Sequence, residues 1–290
     1  MHNLLSAIER RFEGDLHTDR KTRILYATDA SAYREIPMAV ALPRSRNDLR
    51  ELIRFATKTK TSLIPRTAGT SLAGQVVGGG VVVDFSRYMN RILEIDPDGQ
   101  TIRVEPGVIL DEMNDRLKEY GLFFGPETST SNRCMIAGMV GNNACGSHSI
   151  LYGSTRDHTL AVKGLLSDGS EVEFKPVDSE ELNQKMNGDS LESNIYRHIH
   201  SILSDPDNRE EIEREFPDKS IYRRNTGYSI DLLLQSQPFT EGGPPLNLSR
   251  LLFGSDFTLM LITEITLHLV PLPPRQKAIT AAHFHTREEA

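Results

Sequence analysis

The stretch of sequence that decides the fold is PRTAGTSLAGQ, at residues 65–75. It joins two short apolar segments, residues 63–65 and 81–84, whose length and composition predict buried strands. Upstream, another apolar segment at 38–42 precedes residues 46–60, where apolar side chains recur at the spacing of a helix with one buried face. This order of strand, helix and strand predicts a small parallel β-α-β unit.

The 65–75 stretch carries two glycines and three hydroxyl residues. Small residues let the backbone approach a ligand, and successive N–H groups can form a nest for an anion. The pattern fits a diphosphate, and it also fits an ordinary polar loop. It is not a P-loop, because no Gly-Lys-Ser/Thr follows four variable residues, and the Gly-x-Gly-x-x-Gly dinucleotide motif is absent.

The following part of the chain predicts an antiparallel unit. Residues 90–95 and 101–105 flank an Asp-Pro-Asp-Gly turn, and residues 160–167 and 170–174 flank an Asp-Gly pair. Alternating apolar residues at 258–270 predict one long strand. Together with the first unit, these patterns predict an α+β fold.

Helical patterns accompany these strands. Residues 109–120 predict a helix that stops at Gly121, and the charged residues 178–218 predict a helical surface insertion that covers a sheet edge. Residues 1–14 predict an amphipathic helix.

We expect three parts: residues 1–88, an N-terminal helix and a small α/β subdomain; residues 89–274, a larger α+β subdomain; and residues 275–290, the start of a further domain. Residues 277–284 predict a strand and 286–290 the start of a helix. Because an element would begin at the last residues, we expect the chain to be a piece of a longer protein.

Composition restricts the class of protein. The 290 residues carry a formal net charge of −7, so a nucleic acid is not expected as a partner. No apolar run approaches the roughly 20 residues of a membrane-spanning helix, and no secretory leader is visible. The two cysteines fit a reducing cytoplasm and cannot by themselves hold a four-cysteine iron–sulfur cluster. We expect a cytoplasmic protein, with peripheral attachment to the inner membrane as an alternative.

A second candidate site is residues 125–146, which are dense in Gly, Ala, Ser and Asn. Such a composition is poor for a helix or a strand and predicts backbone wrapped closely around a flat ligand. Asn142 and Asn143 could either hold loops together or contact that ligand, and the sequence favours neither role. His283 and His285 lack a third ligand nearby, so no metal site is predicted.

Taken in order, several short motifs resemble the FAD-linked oxidases of the vanillyl-alcohol-oxidase class. They are RTAGTSLAGQ at 66–75, GLFFGP at 121–126, GMVGNNA at 138–144, YG at 152–153 and TRDH at 155–158. Within that class, the chain is most similar to the glycolate oxidase flavoprotein subunit and D-lactate dehydrogenase group. The resemblance covers roughly residues 37–274.

The resemblance implies a PCMH-type FAD-binding domain, with FAD extended between the small subdomain and a larger, mainly antiparallel one. The FAD contacts that it implies are Arg66, Thr67, Ala68, Gly69, Thr70, Ser71, Gln75, Pro126, Ser131, Ile136, Gly138, Asn142, Asn143, Gly146, Tyr152, Gly153 and Ile262. Some members attach the flavin covalently through a His in the first loop. Residues 66–69 contain no His, so non-covalent FAD is expected.

The chain departs from the family pattern at one motif. Where the family usually has Gly-Ser-Glu-Gly-Thr-Leu, residues 254–259 read Gly-Ser-Asp-Phe-Thr-Leu. Asp256 is a shorter carboxylate, and Phe257 puts a large ring in place of a glycine. This leaves the local backbone and any FAD contact there as open questions.

The resemblance also implies an activity for the full-length enzyme, the oxidation of a 2-hydroxy acid of the glycolate or D-lactate type by hydride transfer to FAD. The catalytic base and any metal would lie in a cap domain beyond this chain, so no catalytic residue is named and the chain alone is expected to be inactive. The electron acceptor is open, with a C-terminal iron–sulfur region as one candidate. The alternatives are a flavoenzyme for another alcohol or a sugar nucleotide, or a cofactor-less interaction module, which Phe257 would favour.

Overall fold

The computed structural model describes residues 8, 10–218, 220–221, 223–224, 227–276 and 278–289. The strands are β1 (Asp15–His17), β2 (Ala39–Leu42), β3 (Leu63–Arg66), β4 (Val81–Asp84), β5 (Ile92–Asp96), β6 (Thr101–Val104), β7 (Leu122–Phe123), β8 (Thr159–Leu165), β9 (Glu171–Phe174), β10 (Leu261–His268) and β11 (Val270–Pro271). The α-helices are α1 (Arg20–Leu25), α2 (Arg46–Thr59), α3 (Leu110–Leu117), α4 (Ile136–Asn142), α5 (Ser149–Tyr152), α6 (Ser179–Met186), α7 (Leu191–Ser204), α8 (Pro206–Glu215) and α9 (Ile230–Leu234). Short 3-10 helices occupy Lys118–Tyr120, Thr155–His158 and Leu248–Leu252.

The first unit is the predicted β-α-β arrangement. Strands β2, β4 and β3 are parallel, in the sheet order β1-β2-β4-β3. Ser45 caps the start of helix α2, where its side chain accepts a hydrogen bond from the backbone N–H of Asp48, and Lys60 caps the end in the left-handed conformation. Its residues Leu49 and Leu52 are fully buried in the core that it forms with β2 and β4.

Strand β1 was not predicted. It pairs antiparallel with β2 at the edge of the sheet. The buried carboxylate of Asp48 accepts hydrogen bonds from the backbone N–H groups of Glu13, Gly14 and Arg44, at 2.8, 3.0 and 2.8 Å. These bonds hold the segment before β1 against the start of α2. Most of the helix predicted at residues 1–14 lies outside the described residues.

The second unit is a five-stranded antiparallel sheet in the order β5-β6-β10-β8-β9. Both predicted hairpins are present, and the long predicted strand is β10, at the centre. Ile265 of β10 pairs with Val104 on one side and Val162 on the other, and all three side chains are fully buried. The predicted α+β architecture is therefore confirmed.

The region 178–218 contains helices α6, α7 and α8, as the sequence predicts. Tyr196 of α7 is 1% exposed and packs against Phe174 of the edge strand β9, with ring centroids 6.2 Å apart. Helix α7 thus packs against the edge strand of the larger sheet, and α6 and α8 pack against α7.

Apolar and charged contacts join the two sheets. Leu165 and Leu261, at the ends of β8 and β10, belong to the apolar core of the small unit. Buried Glu264 of β10 binds Arg46 at the start of α2 and Arg103 of β6, the latter at 2.9 Å. One carboxylate therefore ties the helix of the small unit to the centre of the larger sheet.

The prediction for the end of the chain is wrong over the described residues. Residues 278–284 form no strand, and residues 286–289 form no helix. Every described residue from 278 onward is exposed. A strand needs a neighbour for its backbone groups, and no described strand pairs with this segment. The boundaries near residues 88 and 274 stay predictions.

Candidate functional site

The 66–75 loop leaves β3 and crosses toward the larger unit. Gly69 and Gly74 adopt φ values of +65° and +77°, which side chains with a β-carbon rarely adopt. The loop therefore turns at both of its glycines. The carbonyl of Gly69 also accepts a hydrogen bond from the N–H of Ala30 at 3.2 Å, which fixes the first turn to the segment after α1.

Helix α4 corrects the prediction that residues 125–146 are poor in helix. Ile136, Ala137, Met139 and Val140 are buried, so packing overrides the low helix propensity of the intervening glycines. The helix ends at Asn143, which has a φ of 49° in the left-handed region.

The loop and α4 meet at Thr67 and Gly138. A β-carbon on Gly138 would lie 2.5 Å from Oγ1 of Thr67, so only glycine allows this approach. Between the two segments lies a cavity of about 670 Å³, which we call the loop cavity. The hydroxyl residues along its walls are Thr67, Thr70, Ser71, Thr128, Ser129 and Thr130.

The loop cavity brings together part of the predicted site. The predicted residues on its walls are Thr67, Gly69, Thr70, Ser71, Gln75, Gly138 and Asn142. Those that do not line it are Arg66, Ala68, Pro126, Ser131, Ile136, Asn143, Gly146, Tyr152, Gly153 and Ile262. For all of the predicted residues, on the walls or away from them, contact with FAD stays a prediction.

Contacts with other segments explain the positions of two of the residues that lie away from the cavity. The guanidinium of Arg66 donates to the carbonyl oxygen of Thr28 at 2.8 Å and lies over the ring of Tyr26. The side-chain oxygen of Asn143 accepts from the backbone N–H of Arg156 at 3.1 Å, and its amide donates to the carbonyl oxygen of Arg224 at 3.4 Å. Both side chains hold backbone segments in place.

The segment after α9 supplies a third wall. The carbonyl oxygen of Gly141 accepts from the N–H groups of Gly254 and Asp256, at 2.9 and 3.0 Å. Asp256 and Phe257 then both adopt left-handed φ values, 49° and 64°. For an aromatic residue this conformation is a true outlier. The backbone therefore takes a glycine-like course at the position where the family motif has glycine.

Asp256 links the third wall to the loop. The side-chain amide of Gln75 donates to Oδ1 of Asp256 at 3.1 Å and to Oδ1 of Asn142 at 3.2 Å. Burial raises the pKa of the Asp256 carboxyl, and the hydrogen bond from Gln75 opposes this shift. Residues from three separate segments thus meet at a single amide.

Several residues on the cavity walls were not predicted. They include Thr128, Ser129, Thr130, Arg133, Cys134, Met135, Met139, Gly141, Asp256 and Phe257. Most lie inside the 125–146 segment, so its composition was the available signal. The sulfur of Cys134 lies 3.2 Å from Oγ1 of Thr128. Burial raises the pKa of the Cys134 thiol, which therefore remains protonated at neutral pH.

The fit to a diphosphate group rests on the chemistry of these walls. Hydroxyl groups and Arg133 can donate to phosphate oxygens, and glycines at the turns and at the α4 contact let backbone come close. Across the described ranges, no cluster of three or more His, Cys, Asp or Glu side chains could hold a metal ion.

Comparison with known proteins defines the class. Residues 37–175 match the family described as FAD binding domain. The matched part of the chain is therefore similar to the FAD-binding domain of FAD-linked oxidases, and FAD is the cofactor of this domain.

Its relatives are enzymes of 2-hydroxy acids. The chain is 36% identical to D-2-hydroxyglutarate dehydrogenase from Escherichia coli over 285 residues, which are 97% of this chain and 27% of that protein. It is 33% identical to glycolate oxidase subunit GlcD from Bacillus subtilis over 153 residues, 52% of this chain and 32% of that one. The chain thus spans about a quarter to a third of the length of these relatives.

The fold itself has solved counterparts. A structure of alkyldihydroxyacetonephosphate synthase superposes with a TM-score of 0.64 at 17% identity, covering 94% of this chain and 41% of that one. This likeness confirms the predicted FAD-binding fold.

Proposed function

We propose that the loop cavity holds the diphosphate of FAD between the 66–75 loop and helix α4. The observation that carries this proposal is the contact at Gly138 and Thr67, which brings hydroxyl groups of the loop and closely approached backbone of α4 to one cavity. Thr67, Thr70 and Ser71 would donate to phosphate oxygens from one wall. Thr128 and Thr130 would do so from the facing wall.

The bound FAD would be non-covalent. Covalent attachment needs a nucleophilic side chain next to the flavin, and residues 66–75 contain no His or Cys. Cys134 and Cys145 both line the cavity, outside that loop. Burial raises the pKa of Cys134 and keeps it in the unreactive thiol form. When bound, the flavin supplies the acceptor for a hydride, and the protein supplies placement and electrostatics.

We further propose that the complete enzyme oxidises a small 2-hydroxy acid. Two independent similarities, to a D-2-hydroxyglutarate dehydrogenase and to a glycolate oxidase subunit, support this substrate class. The match to the former runs over nearly the whole chain, which makes D-2-hydroxyglutarate the first substrate to test beside glycolate and D-lactate.

None of the helices in the part of the chain that the structure describes has the length and apolar character of a membrane span.

A flavin titration tests the cofactor proposal. Purified chain is mixed with FAD, and the shift of the visible flavin bands and the quenching of flavin fluorescence are followed, with denaturation releasing all of the flavin. Saturable binding with complete release supports the proposal. A chain that neither contains nor takes up FAD would support the alternative of a cofactor-less interaction module.

A further inference from the structure

A second cavity lies on the other side of the wall formed by Asp256 and Phe257. It has a volume of about 550 Å³ and lies between the small unit, at Ala56 and Leu63, and the segment before β10, at Leu259. Pro65, Gln75, Asp256 and Phe257 belong to the walls of both cavities. These four residues therefore form a partition between two spaces that lie side by side.

Phe257 contributes most of the bulk of this partition. Its ring is 8% exposed, stacks on Phe85 with centroids 6.5 Å apart, and lies so close to α4 that a β-carbon on Gly141 would come within 2.8 Å of it. Its backbone is in the left-handed region, where glycine is at ease and an aromatic residue is not. A glycine at this position would remove the ring and would also remove the strain of the left-handed backbone.

We propose that Phe257 is a gate between the two cavities, and that it sets how well this chain accepts a dinucleotide compared with a mononucleotide. The proposal rests on the function proposed above, with the diphosphate in the loop cavity. A dinucleotide extends in both directions from its diphosphate, so one of its halves must leave the loop cavity. The neighbouring space across the partition receives that half only when the ring of Phe257 moves aside.

This arrangement has an energetic consequence. The chain with the ring displaced is the minor state, because displacement breaks the stacking on Phe85 and exposes a buried ring. A ligand that binds only the minor state has its apparent affinity lowered by the fraction of chains in that state. We place the adenosine half of the dinucleotide in the neighbouring space, so FAD bears this cost, whereas FMN, which ends at its single phosphate and lacks that half, does not.

The test compares Phe257→Gly with the matched control Phe257→Leu, using FAD and FMN as probes in fluorescence titrations. Both variants lose the stacking on Phe85, but leucine still fills the partition. For minor states populated at about 10% or less, Phe257→Gly is expected to bind FAD about tenfold or more tightly than the unaltered chain, with FMN affinity nearly unchanged. Phe257→Leu, which still fills the partition but lacks the stacking, is expected to show a much smaller gain in FAD affinity than Phe257→Gly and no change for FMN.

Equal or weaker FAD binding by a folded Phe257→Gly variant overturns the gate, and so does an equal gain for FMN. Circular dichroism and thermal unfolding establish folding, and Phe257→Ala takes the place of the glycine variant if that variant does not fold. Failure of the proposed function looks different, because then neither flavin binds the unaltered chain or any variant.

Discussion

Oγ1 of Thr67 lies 2.5 Å from the place where a β-carbon of residue 138 would be. This contact joins the loop after β3 to helix α4, and it fixes the width of the loop cavity at that point. Gly138 has no side chain to move, and Thr67 can move its hydroxyl only by rotation about a single, stiff χ1 bond.

Replacing Gly138 with Ala is expected to separate the two walls. Overpacking of this kind typically costs about 1–3 kcal/mol of unfolding free energy. FAD affinity should fall with it, since donors on both walls move relative to each other. Urea unfolding and flavin titration measure the two effects.

The double variant Thr67→Ala with Gly138→Ala serves as the control for the clash. Removing the hydroxyl makes room for the new methyl group, so stability should recover, whereas FAD affinity should stay low because a proposed phosphate donor is gone. Recovery of both properties would show that Thr67 acts only as a spacer.

Glu264 is expected to hold the two units together. Its carboxylate is 10% exposed and meets Arg46, Arg103 and Lys163. Glu264→Gln leaves two arginines without their shared partner, at an expected cost of about 1–3 kcal/mol, less than for a fully buried pair because both arginines are partly exposed and can be rehydrated.

The matched control is Glu171→Gln, which also breaks contacts with Arg46 but at a site 34% exposed. A pair this exposed is worth about 1 kcal/mol or less. If the two substitutions reduce the urea unfolding midpoint equally, Glu264 at the centre of the larger sheet contributes no more to stability than the more exposed Glu171.

Ionisation of Asp256 is expected to make the stability of the folded chain depend on pH. Burial raises the pKa of its carboxyl in the folded chain, so the folded state prefers the protonated form. The stabilisation that the protonated carboxyl gives to the folded chain is fully present below the unfolded pKa of about 3.9. It is lost as the pH rises through the higher pKa of the folded chain. At neutral pH the folded chain therefore bears the cost of an ionised, half-buried carboxylate.

Asp256→Asn should accordingly stabilise the chain at pH 7, and the gain should shrink as the pH falls toward 4. Asparagine keeps the acceptor for Gln75 and tolerates the left-handed backbone. Asp98→Asn, in an exposed turn, is the control. A gain that is independent of pH would refute the role of ionisation.

Substitutions of Asn143 distinguish a structural role of its side chain from a contact with the ligand. Its φ of 49° and its bonds to the backbone of Arg156 and Arg224 predict that Asn143→Ala costs about 1–3 kcal/mol. Asn143→Gly keeps the backbone conformation and loses only the side-chain bonds, so it should be less damaging. FAD affinity that falls in both variants without a matching loss of stability would instead assign Asn143 to the cofactor.

Local patterns account for most of the fold that could be predicted. The Asp-Gly and Asp-Pro-Asp-Gly turns and the alternation along β10 depend on neighbours in sequence, and these elements appear where the sequence places them. Strand β1 and helix α4 depend on distant partners. The carboxylate of Asp48 holds the segment before β1, and burial of Met139 and Val140 stabilises a helix with poor intrinsic propensity.

The same contrast between local motifs and distant contacts holds for the candidate site. The loop at 66–75 and residues Gly138 and Asn142 belong to motifs that are recognisable in sequence, and they meet at one cavity. That Arg66 would turn away toward Thr28, and that Asp256 would meet Gln75 across 181 positions, depends on the packing of the two units. No local pattern contains that information.

Hydrogen–deuterium exchange of the chain with and without FAD tests the placement of the cofactor most directly. FAD is expected to slow exchange at the backbone amides of residues 67–75 and 128–142 together, with little change at the exposed face of α6 and α8. Binding of FAD that leaves both segments unprotected, or that protects only one of them, would contradict a cofactor held between the loop and α4.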